Sequence, residues 1–291
     1  MPEGWRTVVI EDHERLELRN DCLVLKKQEE EKSIPLNQLR DLILSYPSGS
    51  ITLPLLQRLS KEQVNVILCD EKRKPMATIH GLNQHIECAG HLMDQAAWSV
   101  KRKDAVWKQI ARQKITMQAN LLAKLQKPEE SDLRRLARGV RLGDHTNREG
   151  IAARLYFTVL FGKGFVRHAP DNQNAALNYG YTILNTAMSR IIILHGYQTG
   201  LGVHHCGRTN PVNLTCDLME PFRPLVDQVV FEHGDAELDW PYKQALIGLL
   251  QGRCVFDGKH TKIADAMDAF ALNIFAAMEG ERREIGVIGF E

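Results

Sequence analysis

Three short segments carry side chains that can hold a metal ion: Asn147-Arg148-Glu149-Gly150, Leu201-Gly202-Val203-His204-His205, and Asp217-Leu218-Met219-Glu220-Pro221-Phe222-Arg223-Pro224. Each reads as a helix edge or a glycine-rich loop, and arginines surround them. Two acids and an imidazole, remote along the chain, suit a divalent cation used for phosphodiester chemistry. Such ligands hold Mg²⁺ or Mn²⁺ while leaving positions open for water and a phosphate oxygen. The ion polarises a phosphoryl group and lowers the pKa of a nucleophile, either water or a terminal 3′-hydroxyl. An imidazole moves the preference toward Mn²⁺. No second carboxylate-rich segment is evident, so one ion per site is expected.

Each segment also has a plainer reading. Glu149 opens a helix whose inner face holds Ile151, Leu155 and Val159, and a carboxylate in a first turn is favoured by the helix dipole alone. His145 lies four residues earlier, but Gly143-Asp144 places it before the helix is established, as a surface or DNA-contacting side chain. His204 and His205 sit in a glycine-dense loop, which lets backbone pass close to a ligand; either is equally a loop histidine with local partners. Cys206 and Cys216 invite a zinc reading, yet their spacing fits no standard finger. Asp217 and Glu220, three apart, share one face of a helix that Pro221 bends or restarts; the plainer alternative is a solvated face with Arg223 as ion-pair partner.

The elements that must position these residues fall into two regions, 1–85 and 86–291. The first reads as an antiparallel β domain. Its strand signals are Thr7 to Ile10, the alternating Leu16 and Leu18, Leu23 to Leu25 after an Asn20-Asp21 turn, Leu42 to Leu44, Val64 to Leu68, and Pro75 to Ile79 after a turn at Glu71 to Lys74. A short helical piece spans Leu53 to Leu59, and the charged stretch Lys26 to Lys32 reads as a solvated hairpin tip. From about residue 90 the period is helical, and the larger region reads as all-α. Val106, Trp107, Ile110, Ile115, Met117, Leu121 and Leu122 form one apolar face. Leu177, Tyr181, Leu184, Met188 and Ile191 form a second, stopped at Gly196. Ile263, Met267, Phe270, Ile274 and Met278 form a third. The tail Ile285 to Phe290 is either a docking strand or a segment folded back on its own helix. The fold class is therefore α+β, with a small N-terminal β domain and a larger helical one.

Composition bounds the function. A chain of 291 residues with 44% hydrophobic and 25% charged residues can bury a substantial core. The formal net charge of +1 is no signature of nucleic-acid binding, so distribution matters more than the sum. Basic residues cluster at Lys101, Arg102, Lys103, Lys108, Arg112 and Lys114, and again at Arg134, Arg135, Arg138, Arg141 and Arg148, the latter leading straight to Glu149. Both stretches suit phosphate contacts. Six cysteines without a Cys-x-x-Cys pair fit reduced thiols and a cytoplasmic location. The start, Met1 to Arg6, has no secretory pattern, and runs such as Ile191 to Leu194 are far short of a membrane span. There is no Walker loop, dinucleotide fingerprint or Gly-x-Ser-x-Gly elbow.

Four ordered stretches give the chain a family likeness: 147–156 (Asn-Arg-Glu-Gly-Ile-Ala-Ala-Arg-Leu-Tyr), 174–181 (Asn-Ala-Ala-Leu-Asn-Tyr-Gly-Tyr), 201–205 and 217–224. Together they resemble the first CRISPR-associated protein family, the integrase/endonuclease of spacer acquisition, and within it the type II branch. The resemblance implies that Glu149, His205 and Glu220 are the catalytic metal ligands for Mg²⁺ or Mn²⁺, with Asp217 the counterpart of a further carboxylate used in some members. It implies that Asn178 lies on a packing helix under the site. The activity it implies is insertion of short DNA fragments into a CRISPR array by 3′-hydroxyl transesterification, with hydrolysis when water replaces the hydroxyl. Its implied partners are double-stranded DNA with 3′ ends, CRISPR repeat DNA, a second copy forming a homodimer through the β domains, and a small ferredoxin-like CRISPR-associated protein. Two other readings stay open on the residues: a branched-DNA nuclease outside CRISPR function, and a non-catalytic DNA-binding scaffold.

Overall fold

In the computed structural model, which describes residues 6–28, 30–45, 48–71, 75–79, 81 and 85–291, the chain divides after Ile86 into two units. The first is built from β1 (Arg6–Ile10), β2 (Arg15–Arg19), β3 (Cys22–Lys27), β4 (Glu30–Pro35), β5 (Leu39–Leu44), β6 (Ser50–Ile51), α1 (Leu53–Lys61), β7 (Asn65–Cys69) and β8 (Pro75–Ile79). Two four-stranded sheets result, ordered β1-β5-β7-β8 and β4-β3-β2-β6. Asn20 and Asp21 both have positive φ, 49° and 54°. That is the conformation a two-residue hairpin turn demands, and it joins β2 to β3. Leu16, Leu23, Leu42, Leu55 and Leu59 form the buried centre.

The β-rich start stands, but not as a purely antiparallel domain. β1–β5, β5–β7 and β2–β6 are parallel. Alternation along a strand reports which face is buried and says nothing of a neighbour's direction. Parallel neighbours need a crossover connection, and the segment carrying α1 supplies one between β5 and β7. The stretch expected as a hairpin tip holds the turn of the antiparallel β3–β4 hairpin, with the end of β3 and the start of β4 on either side. β4 is a sheet edge with exposed charges, and Glu31 pairs with Arg19. Charge on an edge strand blocks pairing with another chain. Glu29, most of the expected turn at Glu71 to Lys74, and the first five residues lie outside the described residues.

The second unit comprises α2 (Cys88–Ala96), α3 (Val100–Lys124), α4 (Glu130–Arg138), α5 (Arg148–Phe161), α6 (Asn172–Leu194), α7 (Asn213–Met219), α8 (Arg223–His233), α9 (Trp240–Gly248), β9 (Arg253–Phe256), β10 (Lys259–Lys262), α10 (Ile263–Glu279) and β11 (Ile288–Gly289). The three apolar stripes expected on α3, α6 and α10 are buried throughout. α3 is the axis, touching α4, α5, α8 and α10. The helix α6 ends where expected: Gly196 has φ 81°, and Tyr197 N bonds back to Ile192 O at 3.0 Å.

The helical unit is not all-α, because β10, β9 and β11 form a small antiparallel sheet. Its turn is Asp257-Gly258, both at positive φ, a hairpin signal visible in the sequence. The tail docks as a strand, and α3 helps hold it. Gln109 takes Ile285 N at 3.0 Å and gives to Arg283 O at 3.0 Å, while Gln113 takes Ile288 N at 3.1 Å and gives to Gly286 O at 2.5 Å. Two side-chain amides, four residues apart, thus act as a substitute strand edge. No described helix is long and apolar enough to cross a membrane.

Gly180, on α6, lies where a Cβ would meet Val226 Cγ1 at 2.4 Å and Leu246 Cδ2 at 3.2 Å. Glycine there lets α6, α8 and α9 approach. Gly180→Ala is expected to cost about 1–3 kcal/mol through overpacking, read as a lower denaturant midpoint at unchanged m-value.

Candidate metal centre

Glu149 belongs to the first turn of α5, yet it does not cap that helix. Asp144 accepts from Arg148 N at 3.0 Å and Glu149 N at 2.9 Å, and Asn147, at φ 51°, accepts from Gly150 N at 3.2 Å. The orphan donors of the helix end are therefore satisfied by other residues. That leaves the Glu149 carboxylate free, and it pairs with the Lys114 ammonium projecting from α3. His145 precedes the helix, 76% exposed and 4.0 Å from Asp104. It is a surface residue outside this cluster.

Glu220 follows α7 in a tight 3₁₀ turn, Glu220–Phe222, before Pro224 opens α8. The residue is 5% exposed, so the reading of a solvated face fails. Arg223 Nε lies 3.0 Å from one oxygen and Lys114 Nζ 2.5 Å from the other. Burial alone pushes this carboxyl up, but Arg223 and Lys114 outweigh it and hold it down to about 2. The Lys114 ammonium is the partner of Oε2, and Arg223 that of the other oxygen.

Asp217 has different partners. Its carboxylate is wholly buried under the glycine loop. It accepts Val203 N at 2.7 Å, His204 N at 2.9 Å and His205 N at 3.1 Å, and it holds His205 Nδ1 at 2.6 Å. The hydrogen bond to Asp217 raises the His205 pKa despite partial burial. With Nδ1–H donated to Asp217, Nε2 carries the lone pair available to a ligand. Gly202 makes this possible, since a Cβ there would stand 2.3 Å from His205 O and 2.8 Å from Asp217 Oδ2. His204 lies flat on Trp107, rings 4.1 Å apart and 1° from parallel, so it packs where its neighbour is aimed.

Of the three expected ligands, Glu149 and Glu220 meet on one ammonium, and His205 stands near enough to Glu220 for each charge to shift the other. Among the described residues no three His, Cys, Asp or Glu side chains already converge on a point that could take an ion. The donor set nevertheless fits a hard divalent cation. Two carboxylates meet on one ammonium, with Arg223 on the far oxygen of Glu220, and one imidazole is oriented by its bond to Asp217. Cys206 and Cys216 are free thiols with no part in this set.

The sequence reading placed Lys114 among nucleic-acid contacts, whereas the structure buries it to 12% exposure between the acids. The signal was its register, because Lys114 falls on the same helix face as Trp107, Ile110 and Leu121. Burial lowers its affinity for a proton, but Glu220 and Glu149 more than restore it, so it remains charged. Beneath the site, Arg223 lies over the Tyr181 ring at 4.5 Å, and Asp227 accepts from Tyr181 and, at 2.8 Å, from Tyr156. Burial pushes Asp227 up to about 6 against these hydrogen bonds. Asn178 accepts from Arg167 at 2.8 Å and contacts none of the three site residues.

Two outcomes are expected. Asp217→Asn removes the group that raises His205, so the imidazole titration midpoint, followed by NMR, falls. The Glu220 carboxyl is depressed when folded, so it contributes stability above its unfolded value of 4.5 that is lost as pH falls toward about 2. In denaturant titrations between those pH values, Glu220→Gln loses stability less steeply than the parent chain.

The description "CRISPR associated protein Cas1" belongs to the family model that matches residues 7–235. A CRISPR-associated endonuclease Cas1 from Neisseria meningitidis serogroup C is 35% identical over 277 residues, covering 91% of this chain and 89% of the relative. Among solved structures, a Cas6-RT-Cas1–Cas2 complex matches with a TM-score of 0.74 at 21% identity, over 97% of this chain and 36% of that longer one. A casposase bound to integration product matches with a TM-score of 0.71 at 17% identity, over 97% and 92%.

Proposed function

We propose that this chain, which belongs to the Cas1 family of CRISPR-associated proteins, inserts short DNA duplexes into a CRISPR array by attack of their 3′-hydroxyl ends, using Glu149, His205 and Glu220 as ligands for Mg²⁺ or Mn²⁺. The type II branch is consistent with the Neisseria relative. Family membership makes it a metal-dependent endonuclease and integrase. The observation that carries the site assignment is the meeting of Glu149 and Glu220, from two separate elements packed on α3, on Lys114, with His205 fixed close by.

A divalent ion bound there lowers the pKa of the attacking hydroxyl and offsets charge on the phosphate. The protein's own contribution is positional. Asp217 sets the His205 tautomer, Arg223 keeps Glu220 ionised, and the Asp144 and Asn147 caps present Glu149 at the mouth of a helix N-terminus, a place that favours negative charge. Lys101 and Arg112 on α3 are exposed and suit phosphates of the duplex. When water takes the place of the hydroxyl, the same arrangement hydrolyses DNA.

Partners follow from the same reading: prespacer duplex with 3′ ends, repeat DNA, a second copy docked through the β unit (about residues 1–85), and a small ferredoxin-like CRISPR-associated protein. Solved structures of the same fold that include a Cas2-containing complex and an integration product support this. The reduced cysteines suit the cytoplasm.

The test measures joining of 3′-hydroxyl DNA into a repeat-containing duplex. Glu149→Ala, His205→Ala and Glu220→Ala should each lower the rate at least ~100-fold, and EDTA should abolish joining. Undiminished joining by all three variants would remove the ligand assignment, and joining that survives EDTA would favour a role independent of the metal.

A further inference from the structure

Lys114 is the one member of the acid cluster that the metal reading leaves without a task. It projects from the buried face of the axial helix α3, its ammonium touches both Glu149 and Glu220, and it is 12% exposed. No surface phosphate contact can be made from that position as it stands. Nor is it an ordinary buried ion pair, because one ammonium is divided between carboxylates from two separate elements. It donates to Glu149 Oε1 and lies 2.5 Å from Glu220 Oε2. One compact positive charge set between two acids is what a small spherical cation would also supply.

Resting on the assignment of Glu149 and Glu220 as metal ligands, we propose that Lys114 is a built-in counterion that occupies the cation position in the metal-free chain, and that a divalent ion must displace its ammonium to bind. The charges support exchange over simple addition. Lys114 and Arg223 already balance Glu149 and Glu220, so a dication entering beside an unmoved ammonium would leave these two acids facing four positive charges. Departure of the ammonium reduces that excess. Lysine suits the task, since its charge is a compact point on a flexible four-carbon stem. Arg223 does not, being held over Tyr181 while it contacts Glu220. Lys114 thereby keeps the acid pair assembled before metal arrives, and its competition sets how much free metal is needed to load the site.

The experiment is calorimetric titration of the full-length chain with MnCl₂, alongside thermal unfolding with and without the ion. Lys114→Met is expected to lower the melting temperature of the metal-free protein, to bind Mn²⁺ at least tenfold more tightly, and to gain more on saturation than the parent chain does. Equal or weaker Mn²⁺ affinity in Lys114→Met overturns the proposal. Should that variant not fold, lysine acetylation read by mass spectrometry serves on the unmutated protein. Lys114 is expected to be protected without metal and to become reactive at saturating Mn²⁺, and unaltered protection overturns the displacement. Glu220→Gln separates the two levels of inference. If it leaves Mn²⁺ affinity unchanged, the ligand assignment itself fails and the role of Lys114 falls with it. If it weakens binding while Lys114→Met does not strengthen it, only the role of Lys114 fails.

Discussion

Two carboxylates cannot stay ionised beside one another in a protein interior without a positive charge between them. A pair of unit charges 4 Å apart interacts by about 4 kcal/mol at the effective dielectric typical of such sites. Glu149 and Glu220 arrive on different elements, α5 and the turn after α7, and both meet α3 through Lys114. Their meeting is therefore a condition on the whole helical unit. α3 must run through its centre, α5 must start beside it, and α7 must end against it. Removing one partner of a buried ion pair typically costs about 3–5 kcal/mol, whereas apolar replacement of the whole set is often neutral. Stability thus gives no reason to gather four charges here. Chemistry does.

His205, the third proposed ligand, is positioned on another principle. A glycine-rich loop is a poor platform for an imidazole unless something removes its freedom. Here one face of α7 does so. Asn213 gives to Gly200 O at 3.0 Å and Gly207 O at 2.9 Å and accepts from Gly207 N at 3.2 Å. One turn later, Asp217 gathers three consecutive backbone N–H groups and the ring of His205. Residues four apart on a helix thereby staple the loop, Asn213 at its two ends and Asp217 at its middle. His205 is aimed from α7 although it lies in a loop, and Glu220, at the other end of the same short helix, shares its frame. The spacing of histidine and acid is then insulated from loop motion, as a ligand pair requires.

Much of this was legible in the sequence wherever periodicity or motif carried it. The stripes on α3, α6 and α10 follow a 3.6-residue period that survives any tertiary context, and the Asn20-Asp21 turn has the chemistry its backbone needs. Parallel pairing of β1, β5 and β7 was not legible, because alternation reports a face and never a partner. The β9–β10 hairpin was legible in Asp257-Gly258 and was hidden by the helical pattern on either side. At the site, the segments offered Glu149, either histidine and either acid, and only the family resemblance singled out His205 and Glu220. The division of labour between Asp217 and Glu220 was not legible, because it is set by contacts remote in sequence: the 203–205 loop folds onto Asp217, and Lys114 reaches Glu220. Lys114 was obscured by its basic neighbours, although its register with Trp107, Ile110 and Leu121 marks it as a buried charge.

The two cations at the site are not equivalent, and their difference follows from their surroundings. Arg223 is fixed by geometry: its guanidinium contacts Glu220 on one side and lies over Tyr181, whose hydroxyl is committed to Asp227. Asp227 in turn is shared with Tyr156 on α5, the helix that begins with Glu149. The rigid cation is therefore tied, through two tyrosines and an acid, to the elements that carry both proposed ligand carboxylates. Lys114 has no such scaffold beyond the acids themselves. A site built this way holds Glu220 ionised through every change of occupancy while leaving one positive charge free to be exchanged. That is the arrangement required if a divalent ion is to load and unload without unfolding the pocket that receives it.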